Sequence, residues 1–455
     1  MSNSILYLFE LVEDYDLSEI KLRMGNLYEL FLEASYLAVN NGRVRFSYVG
    51  IAANASDLIC ILPKYLKGNI DADQFLPKAR TLIKTLKIYQ RTINIDIAGY
   101  NLIDYSSNTV NSEISLADVI MNDYLQYGLW DSHITSVVNS PNNEILWDVT
   151  IEKSFPVITK QPYYFDLYSS RNEYLNDTII SKIHVWALNY CSFKYGELLD
   201  ISIDLQDYEI PDLEGLGEKS YLLNIIEKEL RITFGDRRIL LLKALAEIIA
   251  TSGQYGEDVY TLYGKNKFEH VWENAVGFVF KNEYPMFKKF ISSPVWADIT
   301  QQIIIEKRTV KPDVLRWVYD AVSSNLLIID AKYYLFQFND VNLTSMNNPG
   351  VSDVVKQYFY ELILSRKNSG AGWLERETKY LNILIYPGLL STAKTMEVIG
   401  SVSIENIAIA KPIINIYLNP DVLFSLYNEQ RPFSNNTIDE MILGITEREQ
   451  LQPIL

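Results

Sequence analysis

Residues 1–110 contain short apolar runs separated by turn-forming residues. Two of these runs, 46–49 and 58–62, flank the polar segment 54–57, and this arrangement predicts a pair of strands. From Leu76 onward the apolar positions recur every three or four residues, which predicts a helix. We therefore expect a partly β N-terminal region that includes one longer helix.

Residues 111–205 keep the helical spacing for most of their length. The segments 114–130 and 178–199 each carry an apolar stripe and are predicted to be helices. The segment 145–151 alternates apolar and polar residues instead, which predicts a strand. This middle region is therefore expected to be mainly helical.

A polar stretch at 204–219, which contains Pro211 and two glycines, is the best linker in the chain. Helices and strands alternate after it, so residues 220–430 are predicted to form an α/β domain. The predicted helices are 220–231, 236–250, one that follows Gly264, 352–366 and 421–427, and the predicted strands include 381–386 and 413–418. The residues from Arg431 onward are expected to be less ordered.

A hairpin between these elements concentrates charged residues at one end. Asp313 precedes the apolar run 314–318, a polar break follows at 320–325, and a second apolar run ends at Asp330, two residues before Lys332. Side chains two apart on a strand share a face, so Asp330 and Lys332 emerge together. Antiparallel pairing around the break sets Asp313 opposite them, with cross-strand Cβ atoms about 4.5–5.5 Å apart.

Two carboxylates and an ammonium at one strand end suit metal-dependent phosphodiester hydrolysis. Mg²⁺ prefers oxygen ligands, retains water, and lowers the pKa of that water while offsetting charge on the phosphate. A neighbouring lysine can orient the water or favour its hydroxide form. The alternative is that an Asp-x-Lys sequence at a strand end is a solvated edge, because this short pattern recurs by chance.

The overall charge argues against unaided binding to DNA. The chain has 41 basic and 57 acidic residues, a formal net charge of −16, whereas phosphate contacts depend on Lys and Arg. A basic stripe on the helix after Leu76 is the best candidate for contact with a DNA backbone, the alternative being an ordinary solvated face. The stripe consists of Arg80, Lys84, Lys87 and Arg91.

Several other classes of protein are disfavoured. Two cysteines, Cys60 and Cys191, provide neither a disulfide framework nor a cysteine-based zinc site, and the three histidines are isolated in the sequence. The apolar run 5–9 lacks a basic lead and a cleavage site, so it is not expected to be a signal peptide. No membrane-spanning segment is predicted, and we expect a cytoplasmic protein.

The pattern Pro312-Asp313 followed by Asp330-Ala331-Lys332 resembles the PD-(D/E)xK nuclease superfamily in its Asp-x-Lys form. A longer series of segments is similar to the LlaJI-type restriction endonuclease family, which is itself similar to McrC nuclease subunits. The resemblance covers about residues 45–427. The segments are, in order, FSYVGIAANASDLICILPKY, ILWDVTI, YYFDLY, FEHVWENAV, VKPDVL, LLIIDAKYY and VVKQYFYELIL.

The resemblance implies a nuclease core with a mixed central sheet flanked by helices. It implies that Asp313 and Asp330 bind Mg²⁺, that the Ala331 carbonyl completes the coordination, and that Lys332 activates or positions water. In such nucleases an earlier helix often brings a further acid to the metal, and Glu273 is the candidate here, with a solvated or capping glutamate as the alternative.

The helix after the hairpin departs from the pattern of its relatives. Related nucleases often support the metal site with a Gln and a Tyr on this helix, which here corresponds to Gln357 and either Tyr358 or Tyr360. The four-residue spacing of the RecB-like group would place the Tyr at Glu361, so that part of the pattern is not met.

The resemblance also implies a function. It points to the endonuclease subunit of a restriction system that cleaves double-stranded DNA together with a McrB-like nucleotide-hydrolysing or DNA-recognising subunit and a cognate methyltransferase. This chain has no phosphate-binding G-x-x-x-x-G-K-[ST] loop, so an NTPase would be a separate polypeptide. The alternatives are a non-catalytic assembly subunit and a nonspecific DNA repair nuclease.

Replacing all four residues of the basic stripe by Gln tests its proposed contact with DNA. Counterion release predicts weaker binding to every sequence and a slope of log affinity against log salt that is shallower by up to roughly 3.5. Binding titrations at several salt concentrations measure this slope. An unchanged slope would show that the stripe is an ordinary solvated surface.

Overall fold

The structure is a computed structural model of the chain. It describes residues 5–11, 15–25, 27–54, 58–97, 113–142, 144–158, 161–175, 178–252, 261–291, 295–297, 303–305, 311–319, 323–339, 344–365, 377–391, 394–404 and 411–451.

Strands and helices both contribute substantially, so the predicted mixed α/β class is confirmed. The strands are β1 (Ile5–Phe9), β2 (Tyr15–Asp16), β3 (Leu37–Asn40), β4 (Arg43–Phe46), β5 (Tyr48–Ala53), β6 (Leu58–Leu62), β7 (Ser132–Asn139), β8 (Val157–Ile158), β9 (Pro162–Tyr163), β10 (Tyr168–Leu175), β11 (Thr261–Asn266), β12 (Val295–Ala297), β13 (Ile303–Ile305), β14 (Val314–Tyr319), β15 (Ser324–Ala331), β16 (Gln337–Asn339), β17 (Thr344–Met346), β18 (Lys379–Pro387), β19 (Met396–Val402) and β20 (Ile413–Leu418).

The helices range from one turn to more than six. They are α1 (Leu17–Met24), α2 (Leu27–Glu33), α3 (Phe75–Ile97), α4 (Glu113–Tyr127), α5 (Trp147–Lys153), α6 (Ile179–Leu199), α7 (Leu213–Leu216), α8 (Lys219–Ile232), α9 (Asp236–Thr251), α10 (Glu269–Val279), α11 (Tyr284–Phe287), α12 (Val351–Ser365), α13 (Pro420–Asn428) and α14 (Asn435–Leu451). Short 3-10 turns occur at Lys64–Leu66, Ala72–Gln74 and Lys288–Phe290.

The chain forms two compact units, and both are discontinuous in sequence. The first comprises Met1–Ile5, Ala52–Leu58 and Asp104–Tyr263, and the second comprises Leu6–Ile51, Ile59–Ile103 and Gly264–Leu455. These units do not coincide with the regions 1–110, 111–205 and 220–430, whose status as domains stays a prediction. The polar stretch 204–219 lies within the first unit and contains α7.

The first unit has a helical core in which α4 packs against α6 and α9. A buried ion pair joins two of these helices, with Lys194 Nζ 2.8 Å from Glu113 Oε2. The hydroxyl of Tyr195 donates to the same oxygen at 2.7 Å, so the buried carboxylate is well satisfied. His184 has a structural role here, because its Nδ1 accepts the Trp130 N–H at 3.0 Å.

A five-stranded mixed sheet is the centre of the second unit. Its strand order is β14-β15-β18-β20-β19, in which β15, β18 and β20 run parallel to one another while the two outer strands pair antiparallel. Every residue of β15 is buried, which explains its nearly continuous apolar sequence. Helix α12 packs against β15 and β18. Helix α12 is therefore fixed to the strand that carries Asp330.

The N-terminal part of the second unit supplies a second sheet and a helical layer. Strands β1, β6, β5 and β11 form a four-stranded sheet in that order, most of whose residues belong to this unit. Helix α3 packs against α10 and α13. The basic helix predicted from Leu76 is thus confirmed as a helix, and it shares a compact unit with the hairpin.

Three local predictions are wrong. Residues 145–151 do not form a strand: α5 occupies most of them, and the apolar side chains of Trp147 and Ile151 are exposed instead of alternating into a core. Residues after Arg431 form α14, which buries Ile438, Met441 and Ile445. The first predicted strand, 46–49, is interrupted: β4 ends at Phe46, β5 begins at Tyr48, and Ser47 separates them.

No helix in the described ranges combines the length and the apolar composition that a membrane crossing requires. Both cysteines are buried and unpaired, in agreement with the absence of a disulfide framework.

Two glycines of the second unit should respond to alanine in opposite ways. A Cβ at Gly264 in β11 would clash with the hydroxyl of Tyr48 and the carbonyl of Val49, so Gly264→Ala should destabilise by about 1–3 kcal/mol. A Cβ at Gly277 within α10 would meet nothing within 4 Å, so Gly277→Ala should stabilise by about 0.5–1 kcal/mol. Denaturant titration of both variants measures the two changes, and equal effects would contradict the packing at β11.

Candidate active site

The hairpin of β14 and β15 brings the predicted residues together. Its register pairs Val314 with Ile329, so Asp313, one residue earlier, stands opposite Asp330. The Asp313 carboxylate crosses the hairpin and accepts the Ala331 N–H at 2.8 Å through Oδ2. The predicted pairing of the two aspartates is therefore confirmed, although the turn at 320–322 lies outside the described residues.

Asp313 is held in an environment that disfavours its charge. Burial, a hydrogen bond with Asp330 and the negative charges of Asp330 and Glu273 raise its pKa to about 8, against the lowering effect of the Ala331 N–H. In the absence of a cation, the Asp313 carboxyl therefore holds a proton near neutral pH and donates it to Asp330 in a hydrogen bond. A bound cation would therefore reduce the repulsion between the two carboxylates.

A two-residue segment after α10 fixes the backbone of Asp313. Asn282 donates to the Asp313 carbonyl at 2.7 Å and accepts the Leu315 N–H at 3.0 Å. Glu283 continues the contact, since its N–H donates to the Leu315 carbonyl at 2.7 Å and its carboxylate accepts the Trp317 N–H at 2.8 Å. These bonds satisfy the outer edge of β14, which is an edge strand.

Lys332 lies directly beyond β15, between two carboxylates. Its Nζ is 2.8 Å from Asp330 Oδ2 and 3.1 Å from Asp353 Oδ1. Burial opposes the charged form, but the charges and hydrogen bonds of Asp330 and Asp353 outweigh it, so the pKa of Lys332 is raised. Lys332 is therefore a fixed positive charge beside the paired aspartates.

Glu273, the acid predicted on the preceding helix, lies near this cluster. Its pKa is raised chiefly by burial and also by the negative charge of Asp330, against the lowering effects of His270 and Lys332. Its Oε2 is 3.4 Å from His270 Nδ1. The structure thus places Glu273 within electrostatic reach of the aspartates, and its role in catalysis stays a prediction.

Gln357 contacts the sheet through its side-chain amide. Its Nε2 donates to the carbonyls of Ile328 and Ile383, at 2.9 and 3.1 Å, and so joins β15 to β18. This contact supports the strand that carries Asp330, and whether Gln357 has a more direct role stays a prediction. The side chain is completely buried.

Of the two candidate tyrosines, Tyr360 is the one near the aspartates. Its hydroxyl donates to the Lys311 carbonyl at 3.2 Å, and its pKa is raised to about 12 by burial and by the charges of Asp330 and Asp313. Tyr358 packs instead against a separate apolar cluster that includes Phe336 and Leu384.

Sequence reasoning missed two residues of the site, Asn282 and Asp353. Asp353 had a visible signal, because an acid in the first turn of α12 lies close in sequence to the hairpin, but that position is equally typical of a residue that favours the helix dipole. Asn282 follows the end of α10 and had no signal of its own, because its contacts depend on how α10 lies along β14.

The donors at this site fit a small, hard cation. Within the described ranges, no three His, Cys, Asp or Glu side chains are arranged to hold a metal ion. Asp313 and Asp330 nevertheless supply two adjacent carboxylates, and Mg²⁺ in proteins is usually held by one or two carboxylates with water and substrate phosphates. The negative charges of Asp330 and Glu273 raise the pKa of Asp313, so a cation bound beside the two aspartates would relieve their repulsion.

The basic stripe lies on α3 as expected, in two environments. Lys84 and Arg91 are exposed, whereas Arg80 and Lys87 are half-buried and interact with other residues. Because α3 packs against α10, the stripe belongs to the same unit as the carboxylate pair. Its contact with DNA stays a prediction.

Four comparisons show which known proteins this chain is similar to. A family model described as LlaJI restriction endonuclease matches residues 48–421. The type II restriction enzyme BsuMI component YdjA of Bacillus subtilis (strain 168) is 29% identical over 443 residues, which cover 96% of this chain and 92% of that protein. A structure of Thermococcus gammatolerans McrB AAA+ hexamers with bound McrC contains a chain that is 12% identical, with a TM-score of 0.41 and coverage of 94% of this chain and 99% of that one. A cryo-EM structure of the Thermococcus gammatolerans McrBC complex gives a TM-score of 0.29 at 14% identity, covering 59% and 85% of the two chains.

The raised pKa of Asp313 predicts how the stability of the metal-free protein depends on pH. The Asp313 carboxyl has an ordinary pKa of 3.8 and a folded-state pKa of about 8. Between these values the folded protein binds a proton that the unfolded chain does not, so this stabilisation is complete below the lower value and is lost as pH rises to the higher one.

Asp313→Asn removes this titration, and its amide can donate to Asp330. We expect the Tm of the variant in EDTA to fall less than that of the wild type from about pH 5 to about pH 8. Thermal melts of both proteins across this range test the expectation. Parallel curves of Tm against pH for the two proteins would contradict the raised pKa of Asp313.

Proposed function

This chain belongs to the LlaJI restriction endonuclease family, and from this premise we propose that it is the DNA-cleaving subunit of a restriction system. The reaction is Mg²⁺-dependent hydrolysis of double-stranded DNA by a type II-like enzyme that acts in the cytoplasm in defence against phage. The observation that carries the proposal is the meeting of Asp313, Asp330 and Lys332 at one end of the β14–β15 hairpin.

The proposal includes a PD-(D/E)xK core in the second unit. Support comes from the mixed sheet, in which an antiparallel hairpin bearing the aspartates is followed by a helix and a parallel strand. The side chains of the motif emerge at the same end of this hairpin, and α12 packs against its inner strand. This arrangement holds charged groups on rigid elements, as a reactive site requires.

Asp313 and Asp330 would hold the Mg²⁺, with the Ala331 carbonyl as a further ligand. When bound, Mg²⁺ supplies charge stabilisation at the phosphate and lowers the pKa of a coordinated water. The residues of this chain position the reacting groups. Lys332 places a permanent positive charge where it can orient the attacking water, and Asn282 keeps Asp313 at the hairpin end.

Glu273 and Gln357 complete the proposed site with different roles. Glu273 adds a third acidic group near the aspartates, which increases the attraction for a divalent cation. Gln357 ties β15, the strand that carries Asp330, to β18, so this metal ligand lies on a strand that is fixed to its neighbour. Neither Glu273 nor Gln357 transfers a proton in the proposed reaction.

The proposed enzyme works with partners. A net charge of −16 repels duplex DNA at long range, which a DNA-holding subunit would offset. The relative in Bacillus subtilis is described as a component of its restriction enzyme. We therefore include a McrB-like nucleotide-hydrolysing or DNA-recognising subunit and a cognate methyltransferase in the proposed system, with the stripe Arg80, Lys84, Lys87 and Arg91 contacting the DNA backbone.

A non-catalytic assembly subunit is the main alternative. Its support is the acidic surface charge, but it leaves unexplained why two repelling carboxylates and a lysine are held together by dedicated contacts. A nonspecific repair nuclease would keep the same site, and a methyltransferase gene beside this one would argue against it.

Alanine at Asp313, Asp330 or Lys332 should prevent cleavage of plasmid DNA in the presence of Mg²⁺. Loss of either aspartate should reduce cleavage to background, and loss of Lys332 should reduce the rate by roughly 10²–10³-fold, because one charge that stabilises the transition state is removed. Gel assays measure cleavage by the full chain, alone and with the products of neighbouring genes.

Two controls remove a more exposed lysine–carboxylate pair at the opposite edge of the sheet. Lys394 and Glu397 lie 2.8 Å apart at β19, so Lys394→Ala and Glu397→Gln should cleave like the wild type. Wild-type cleavage by folded Asp330→Ala protein would rule out the proposed site. Site-specific cleavage by the chain alone without nucleotide would rule out the dependence on a partner.

A further inference from the structure

The ammonium of Lys332 is held from two sides by carboxylates on different elements. Asp330 belongs to β15, and Asp353 belongs to the first turn of α12. The two Nζ–O distances, 2.8 and 3.1 Å, are both within charge-assisted hydrogen-bond range. All three side chains are largely buried, with 11–16% of their surface exposed, so water screens these contacts weakly.

Asp353 is itself fixed in place relative to the sheet. Its N–H donates to the Gly350 carbonyl at 2.9 Å, and four residues later Gln357 bonds α12 to the carbonyls of β15 and β18. The competing partner of Asp353 is weak: Lys356 Nζ is 3.9 Å away, and that side chain is 57% exposed. Asp353 therefore directs its charge toward Lys332.

Lys332 needs such a second contact. Its backbone is anchored by an N–H bond to the Ile385 carbonyl at 2.8 Å, but its side chain is a flexible four-carbon stem. With Asp330 as its sole partner, the ammonium would be drawn onto the carboxylate that the proposed function assigns to Mg²⁺. A carboxylate on the other side balances that attraction.

We propose that Asp353 is a positioning residue that holds the Lys332 ammonium beside the paired aspartates, in a position between Asp330 and Asp353. This inference rests on the proposed function, because the position of Lys332 matters only if cleavage occurs there. Asp353 acts through Lys332 and has no contact with the reacting atoms in this assignment.

The competing explanation is that Asp353 merely stabilises the start of α12. An acid in a first turn favours the helix dipole wherever it occurs. Asp236 is a matched control, since it lies in the first turn of α9, is exposed, and belongs to a helix of similar length. Asp236→Asn should lose the dipole contribution and leave the active site unchanged.

The experiment compares full-length Asp353→Asn, Asp353→Glu and Asp236→Asn with the wild type. We expect Asp353→Asn to slow single-turnover cleavage by roughly 10- to 100-fold, as typically happens when a residue that orients an active-site group is lost. The affinity for DNA measured with Ca²⁺ in place of Mg²⁺ should change less than twofold, because binding does not use Asp353. Asp353→Glu should restore part of the rate, and Asp236→Asn should retain all of it.

A second measurement does not depend on cleavage. In a lysine-labelled NMR spectrum, the Lys332 ammonium resonance is identified by its loss in Lys332→Ala. Double pairing should protect this ammonium from exchange with water, and Asp353→Asn should broaden or abolish its signal, whereas Asp236→Asn should not.

The outcomes separate this inference from the function on which it rests. Wild-type cleavage by Asp353→Asn, together with inactivity of Lys332→Ala, overturns the positioning role and leaves the proposed function standing. If no combination of the wild type with its partners cleaves DNA, the proposed function fails. An unchanged Lys332 resonance in Asp353→Asn then overturns the positioning of the ammonium as well.

Discussion

Two carboxylates placed side by side in a buried hairpin repel each other, and much of the second unit compensates for this repulsion. The register that pairs Val314 with Ile329 places Asp313 directly opposite Asp330. The Ala331 N–H and the Lys332 ammonium offset part of the cost, and the raised pKa of Asp313 favours its neutral form when no cation is present. Two repelling groups stay in this arrangement only if the surrounding structure holds them in place.

The structure that holds them in place consists of contacts from both flanks of the hairpin. On the outer side, Asn282 and Glu283 bond the free edge of β14 as a further strand would. On the inner side, α12 packs against β15 and β18, and Gln357 bonds both of these strands. Tyr333, the residue after Lys332, is held in turn by a hydrogen bond of 2.9 Å from its hydroxyl to the buried carboxylate of Glu10.

The hairpin was predictable from sequence because all its determinants are local. Two apolar runs, one polar break and the two-residue periodicity of a strand place Asp330 and Lys332 on one face, opposite Asp313. Asn282 was not predictable, because its role arises only when α10 has packed beside β14. The strand predicted at 145–151 failed for a related reason: its alternation of apolar residues is real, but Trp147 and Ile151 are exposed, so no core enforces the period. The local pattern therefore predicted where the aspartates and the lysine lie, and tertiary packing determined which residues support them.

The discontinuity of the second unit has a consequence for protein synthesis. Its early segments, up to Ile103, must wait for the ribosome to translate Asp104–Tyr263 before their partners appear. At roughly 5–20 residues per second, that interval lasts on the order of 10–30 s. The basic helix α3 is complete before the interval, whereas the hairpin and α12 emerge only after it. A chain released before Lys332 would therefore carry the basic stripe without the carboxylate–lysine cluster, and so without the proposed cleavage chemistry.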